Sequence, residues 1–177
     1  MELALPALRQ LTAGQYGVFR QNVDVLVRAD ASIDLFEWAL QRIVIHDLDR
    51  QFARVPPPRV RHRDLGRVLP HAAVLLSALA HVGARAGGSP QAAFEAGRQA
   101  LGAPAMTLGP PDACGLDAVD AALAALEETT PDVKRRVLQA AAACVSADRR
   151  LTGAEAELLR AIAASLGCPM PPLTVAA

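Results

Sequence analysis

Five carboxylates stand where they could act together. Asp30, Asp34 and Glu37 fall close in the chain, and Asp148 and Glu155 repeat the outer pair 118 positions later. Oxygen donors gathered around a tight link between helices are the raw material of a divalent-cation site. The second copy weakens that chemistry, because Arg149 and Arg150 follow Asp148 and would repel a cation. A local chemistry competes with it. Asp34-x-x-Glu37 and Thr152-x-x-Glu155 both have capping-box spacing, in which side chains and amides at a helix start satisfy each other. Such a cap stabilises by about 1 kcal/mol. All five acids therefore read first as groups that shape helix starts and links, and second as candidate metal ligands. The first copy is the better metal candidate because it adds Asp34.

Other chemistry is sparse. There is no H-E-x-x-H, no Walker A motif and no Rossmann glycine fingerprint. His62-Arg63-Asp64-Leu65 matches a kinase catalytic-loop string, but the asparagine and glycine-rich loop that would accompany it are missing. The histidines, His46, His62, His71 and His81, do not fall at one-turn spacing, so no single helix offers a histidine pair for a metal. Cys114, Cys144 and Cys168 have no C-x-x-C spacing, which suits a reducing compartment. Cys144 falls on an apolar helical stripe and is expected to be a buried, inert thiol. No catalytic residue and no cofactor is assigned to this chain.

The paired acids belong to a longer repeat. Residues 27–44 read V-R-A-D-A-S-I-D-L-F-E-W-A-L-Q-R-I-V, and residues 145–162 read V-S-A-D-R-R-L-T-G-A-E-A-E-L-L-R-A-I. Ile33 corresponds to Leu151, Leu40 to Leu158 and Val44 to Ile162, all at the same offset of 118. Upstream, Thr12 corresponds to Thr130 and Val27 to Val145. A long match at one fixed offset predicts a pseudo-duplicated helical hairpin.

The elements that would position these groups are helices. The chain is 52% hydrophobic but only 3% aromatic, and Ala and Leu dominate. That composition favours helices packed through small side chains over a sheet. Start signals and apolar spacing predict about seven helices and no sheet. Thr12 opens the first, with Tyr16, Phe19, Val23, Leu26 and Val27 inward. The second follows Asp34, carries Leu35, Trp38, Leu40, Ile43 and Val44, and ends near Asp49. Pro70, Ser89-Pro90, Leu116, Thr130-Pro131-Asp132 and Thr152 open the rest. The expected organisation is one compact all-α domain in three parts. Residues 1–53 hold the first hairpin, 54–115 a central helix pair with Pro/Gly-rich loops, and 116–177 the second hairpin.

Charge narrows the partners. Lys+Arg and Asp+Glu are both 18, so no domain-wide basic field invites nucleic acid. Arg59, Arg61, Arg63 and Arg67 form a local cluster, read as a solvated loop rather than a phosphate site. The N-terminal M-E-L-A-L-P-A-L-R does not read as a signal peptide. The stretch Leu69–Val82, interrupted by Pro70, His71, Ser77 and His81, is expected to be too short and polar to insert in a membrane.

The string A-D-x-x-[I/L]-[D/T]-x-x-E between two amphipathic helices resembles the TerB-like helical domain of tellurite-resistance proteins. With I-D-L-F-E-W-A-L-Q-R, K-R-R-V-L-Q-A-A-A-A-C-V-S-A-D and A-E-A-E-L-L-R-A-I-A-A-S-L-G-C-P-M-P-P, almost the whole chain resembles a particular C-terminal region. That region follows the catalytic part of some bacterial membrane-bound M48-family metallopeptidases. The resemblance implies an accessory module, partnered by another protein or by the catalytic domain. It implies a cytoplasmic location, tethered to the inner membrane through a parent chain. Zinc is implied only for the parent's catalytic domain. The alternative it implies is a TerB-like, divalent-metal-responsive stress sensor using Asp30, Asp34, Glu37, Asp148 and Glu155. One departure bears on that alternative: Ala31 and Arg149 stand where the family's A-D-G turn has glycine.

Overall fold

The computed structural model describes residues 5–29, 35–52, 59–84, 87–148 and 151–169. Its helices are α1 (Leu5–Leu8), α2 (Ala13–Ala29), α3 (Leu35–Phe52), α4 (Leu69–Ala84), α5 (Pro90–Leu101), α6 (Leu116–Glu127), α7 (Pro131–Val145) and α8 (Gly153–Ser165). The first is a single turn, so seven substantial helices build the fold among the described residues, as the sequence predicts. Short 3-10 turns at Leu65–Val68 and Pro111–Cys114 precede α4 and α6. No strand or sheet occurs among the described residues; the nearest thing is an isolated parallel bridge between His62 and Thr129.

Most helix starts follow their local signals. The Thr12 hydroxyl accepts from the Gln15 amide at 3.3 Å, while the Gln15 side chain accepts from the Thr12 amide at 2.9 Å. Ser89 caps α5 by accepting from the Ala92 amide at 3.3 Å, with Pro90 directly behind it. Thr130 departs from expectation. It occupies the N-cap of α7 and Pro131 follows, but its side chain makes no capping bond. Its amide instead donates to the His62 carbonyl at 3.3 Å, beside the bond from the Arg61 amide to the Glu128 carbonyl at 2.8 Å. A distant segment thus shares in ordering this helix start.

The core centres on α4, which packs against α5, α6 and α7. Leu75, Leu76 and Leu79 of α4, Phe94 and Leu101 of α5, Val119, Leu123 and Leu126 of α6, and Val133 and Val137 of α7 are buried together. These are the faces that the 3.6-residue period marks. By length and composition alone Leu65–Gly83 is long and apolar enough to cross a membrane, a test that a buried core helix also meets. In this fold half of it is buried inside the protein, as the central core helix.

Helices α5 and α7 come close together at Gly97. A Cβ at Gly97 would lie 3.1 Å from the Cys144 Cβ, 3.2 Å from the Ala140 carbonyl oxygen and 3.2 Å from Leu76 Cδ2. Only a residue without a side chain lets the two backbones meet there.

At the other side of the core, α3 lies along α8. Arg42 of α3 donates through Nε to the Ser165 hydroxyl at 2.7 Å and pairs with Asp120 of α6. Its guanidinium sits 5.3 Å from the Trp38 ring centre, and Trp38 itself donates to Asp120 at 3.4 Å. Three helices are joined by this one cluster. Helix α2 meets the far end of α3. Tyr16 stacks on Phe52 at 4.9 Å, and its hydroxyl donates to Asp49 at 2.6 Å. Arg20 also pairs with Asp49 at 2.7 Å.

Two sequence expectations change here. Leu26 of α2 is 66% exposed rather than inward, and Val18 and Val25 are exposed beside it. Helix α3 runs on to Phe52 past Asp49, and Leu48, absent from the expected core, is completely buried. Of the apolar positions expected in α3, Trp38 is buried and Val44 half-buried.

Gly97→Val forces three groups apart at the α5–α7 crossing. Its expected cost is about 2 kcal/mol, in the range of overpacked cores. Urea unfolding measures it, and an unchanged midpoint would mean that the crossing tolerates a wider spacing.

Candidate functional site

The five acids of the sequence divide unequally. Asp30 and Asp34 lie outside the described residues, as do Ile33 and the link they share. Glu37 lies in α3, but its side chain is not among those described. Asp148 and Glu155 are both described, at the turn between α7 and α8.

Glu155 is a helix-start group. Its Oε2 accepts from the Thr152 amide at 2.8 Å and from the Thr152 hydroxyl at 2.8 Å. In return the Thr152 hydroxyl accepts from the Glu155 amide at 3.2 Å. This is the capping box that the spacing predicts, and it holds a carboxylate that is only 8% exposed. A buried carboxylate needs such donors, since an unpaired one would be strongly disfavoured. The corresponding box at Asp34 and Glu37 falls outside what is described.

Asp148 is exposed, but it shares a small cavity with Glu155. The cavity has a volume of about 80 Å³ and opens between the ends of α4 and α7 and the starts of α5 and α8. Leu79 and Gly83 form one wall, Ser89 and Ala92 a second, and Cys144 and Val145 a third. A Cβ on Gly83 would lie 3.7 Å from Glu155 Oε1, so the carboxylate reaches across to α4. The space suits a few water molecules. Among the described residues no three His, Cys, Asp or Glu side chains gather closely enough to hold a metal ion.

Cys144 is 2% exposed at the floor of this cavity. Burial, with a smaller contribution from the Glu155 charge, pushes its thiol up to about 12. A thiol so placed is protonated at neutral pH and is a poor nucleophile. Burial also pushes Cys114 and Cys168 up, and all three cysteines are free. His81 bonds through Nε2 to the Gly109 carbonyl at 2.8 Å, where it ties α4 to a loop. His71 and His81 do share α4, as the sequence suggests.

A larger opening was not legible in the sequence. It is a groove of about 580 Å³ between the segment Asp64–Ala73 and the turn Gly102–Thr107, with Arg136 of α7 at its wall. Its walls come from three separate stretches of chain. The Gly/Pro-rich composition after Leu101 marks the turn as a loop, but nothing local marks it as a wall. Gly102 has a φ of 73° and closes α5 in the left-handed region, which turns the chain into the groove.

Compared with protein-family models, with curated proteins and with solved structures, the chain matches none.

Two outcomes test this site. Thr152→Ala removes one half of the capping box and is expected to lower stability by about 1 kcal/mol; an unaltered urea midpoint would mean that Glu155 is held by other groups. The second is a pH dependence. An ordinary thiol titrates near 9.0, and Cys144 in the folded protein near 12. Between those values the folded state keeps a proton that the unfolded state loses. The stability linked to Cys144 is therefore intact below about 9 and is lost as pH rises toward 12. Cys144→Ala should make the alkaline decline in melting temperature shallower; parallel declines would refute the assignment.

Proposed function

We propose that this chain is a TerB-like, non-catalytic interaction module, serving as the accessory region of a membrane zinc metalloendopeptidase of the M48 kind. The observation that carries this reading is the register of two helix pairs. Ala13 and Pro131, where α2 and α7 begin, are 118 positions apart, as are Leu35 and Gly153, where α3 and α8 begin. That is the offset of the repeated A-D-x-x-[I/L]-[D/T]-x-x-E string, so each copy of the string falls between two helices. The packing of α3 along α8 supports taking the hairpins as two copies of one unit. In this role the module works on the cytoplasmic side and holds a protein partner, or substrate, near the catalytic domain. Zinc and the peptidase chemistry belong to that catalytic domain.

Co-expression with the membrane-anchored catalytic region of an M48 peptidase from the same genome tests the assignment. The expected result is co-purification in detergent and an altered rate of casein cleavage. Separate elution with an unchanged rate would overturn it.

A second reading is the divalent-metal-responsive sensor, with Asp30, Asp34, Glu37, Asp148 and Glu155 as ligands. The cavity that Asp148 and Glu155 share is what favours it. A ligand that binds only the folded protein must raise its stability. Melting curves with millimolar calcium, magnesium or zinc should then shift upward in the natural chain and not in Asp148→Asn. An unmoved curve removes the sensor reading.

A further inference from the structure

The groove beside Arg136 and the arginine cluster of the preceding loop adjoin in sequence at Asp64. The groove is lined by Leu65, Leu69, Ala73 and Met106, with Arg136 and Asp64 as its charged side chains. Its volume of about 580 Å³ lies in the range of ligand sites. The Asp64 carboxylate accepts from the Gly66 amide at 3.0 Å and caps the 3-10 turn. Arg136 gives one N–H to the Leu101 carbonyl at 2.9 Å, which fixes the guanidinium against the end of α5. A guanidinium has five donors, so others remain for a ligand.

The loop that carries the rest of the charge is held in position. Arg61 bonds to Glu128 through its backbone and pairs with it through its side chain at 3.3 Å. Arg63 and Arg67 flank the lining segment Asp64–Gly66 in sequence, and both are exposed. Among the described residues neither forms an ion pair. The lining holds one positive and one negative side chain, and the exposed Arg63 and Arg67 that flank it in sequence tip the local balance positive, which matches a ligand that is apolar and negative. An open trough walled by two lengths of backbone suits an extended chain.

We propose that this groove binds an extended acidic peptide, with an apolar side chain entering between Leu69 and Met106 and a neighbouring carboxylate meeting Arg136, while Arg63 and Arg67 stand outside the lining at its rim. The carboxylate supplies orientation through charge-assisted hydrogen bonds, and the apolar side chain supplies the buried area. The rim arginines act at longer range and speed encounter, so binding should weaken with salt. This site goes beyond the metallopeptidase reading and does not depend on it.

Fluorescence anisotropy with the full chain tests the proposal. The probe is a fluorescein-labelled hexapeptide alternating leucine with aspartate, compared with a peptide in which asparagine replaces aspartate and the C-terminus is amidated. The acidic peptide should bind at least about tenfold more tightly, and raised salt should reduce the difference. Ala105→Trp fills the groove from an exposed loop position and should abolish binding without moving the melting temperature. Arg63→Glu with Arg67→Glu should weaken the acidic peptide and not the neutral one. Equal binding of the two peptides, no binding of either, or full binding by Ala105→Trp would each overturn the proposal. Displacement of the peptide by sodium decanoate would be expected; binding of decanoate alone, with neither peptide bound, would overturn it in favour of a fatty-acid site. Because only this chain is used, failure here leaves its association with a peptidase to be judged separately.

Discussion

The missing side chain at Gly97 sets the geometry of the core. Helices α5 and α7 meet where Ala140 and Cys144 face that glycine, and Leu76 of α4 closes the third side. A chain with so few aromatics has few large side chains with which to fill wide gaps. Its helices must therefore come close, so that small residues can reach the density of a protein interior. Phe94, fully buried on the same helix as Gly97, is one large exception. Once α5 and α7 are set against α4, the remaining face of α4 is left for α6. The Trp38–Arg42–Asp120 cluster then fixes how α3 joins α6 and α8.

What the sequence revealed and what it hid follow from the range of the forces involved. Ser89-Pro90 and Thr152-x-x-Glu155 act within four residues, so their caps could be read directly and are found in place. Thr130 has the same local signal, yet its amide bonds to a carbonyl almost seventy positions away (about that many by residue number) and its hydroxyl is not used. Periodicity marked the buried faces of α4 to α7 because each is covered by several neighbours. It failed at Leu26, where the stripe exists but no described helix covers it. Leu48 was missed for the opposite reason: the acids around it suggested a helix end, whereas α3 continues and buries it.

The site shows the same division. The seven-residue interval from Asp148 to Glu155 is legible as a helix link, and the capping role of Glu155 follows from its spacing to Thr152. That the two acids share a cavity with Cys144 depends on how α4, α5 and α7 end beside one another. The groove at Arg136 is further from sequence patterns still. Met106, Leu69 and Arg136 come from three separate stretches of chain and become neighbours only through the turn at Gly102. The arginine run Arg59–Arg67 overlaps the groove's Asp64–Gly66 segment in sequence, but its charge pattern read as a solvated loop.

Helix α2 carries a consequence of its own. Tyr16 is its one buried residue among those whose exposure is described, and Phe52 and Asp49, which it meets, sit at the far end of α3. An isolated helix of this length, with Gly14, Gly17 and several valines, is marginal in water. Among the described residues its buried contacts gather around Tyr16, while α4 to α7 share the whole core. The protein therefore has two tiers of cooperativity. Helix α2 is expected to exchange its amide protons through partial opening, while the core helices, α3 included, do so through larger unfolding.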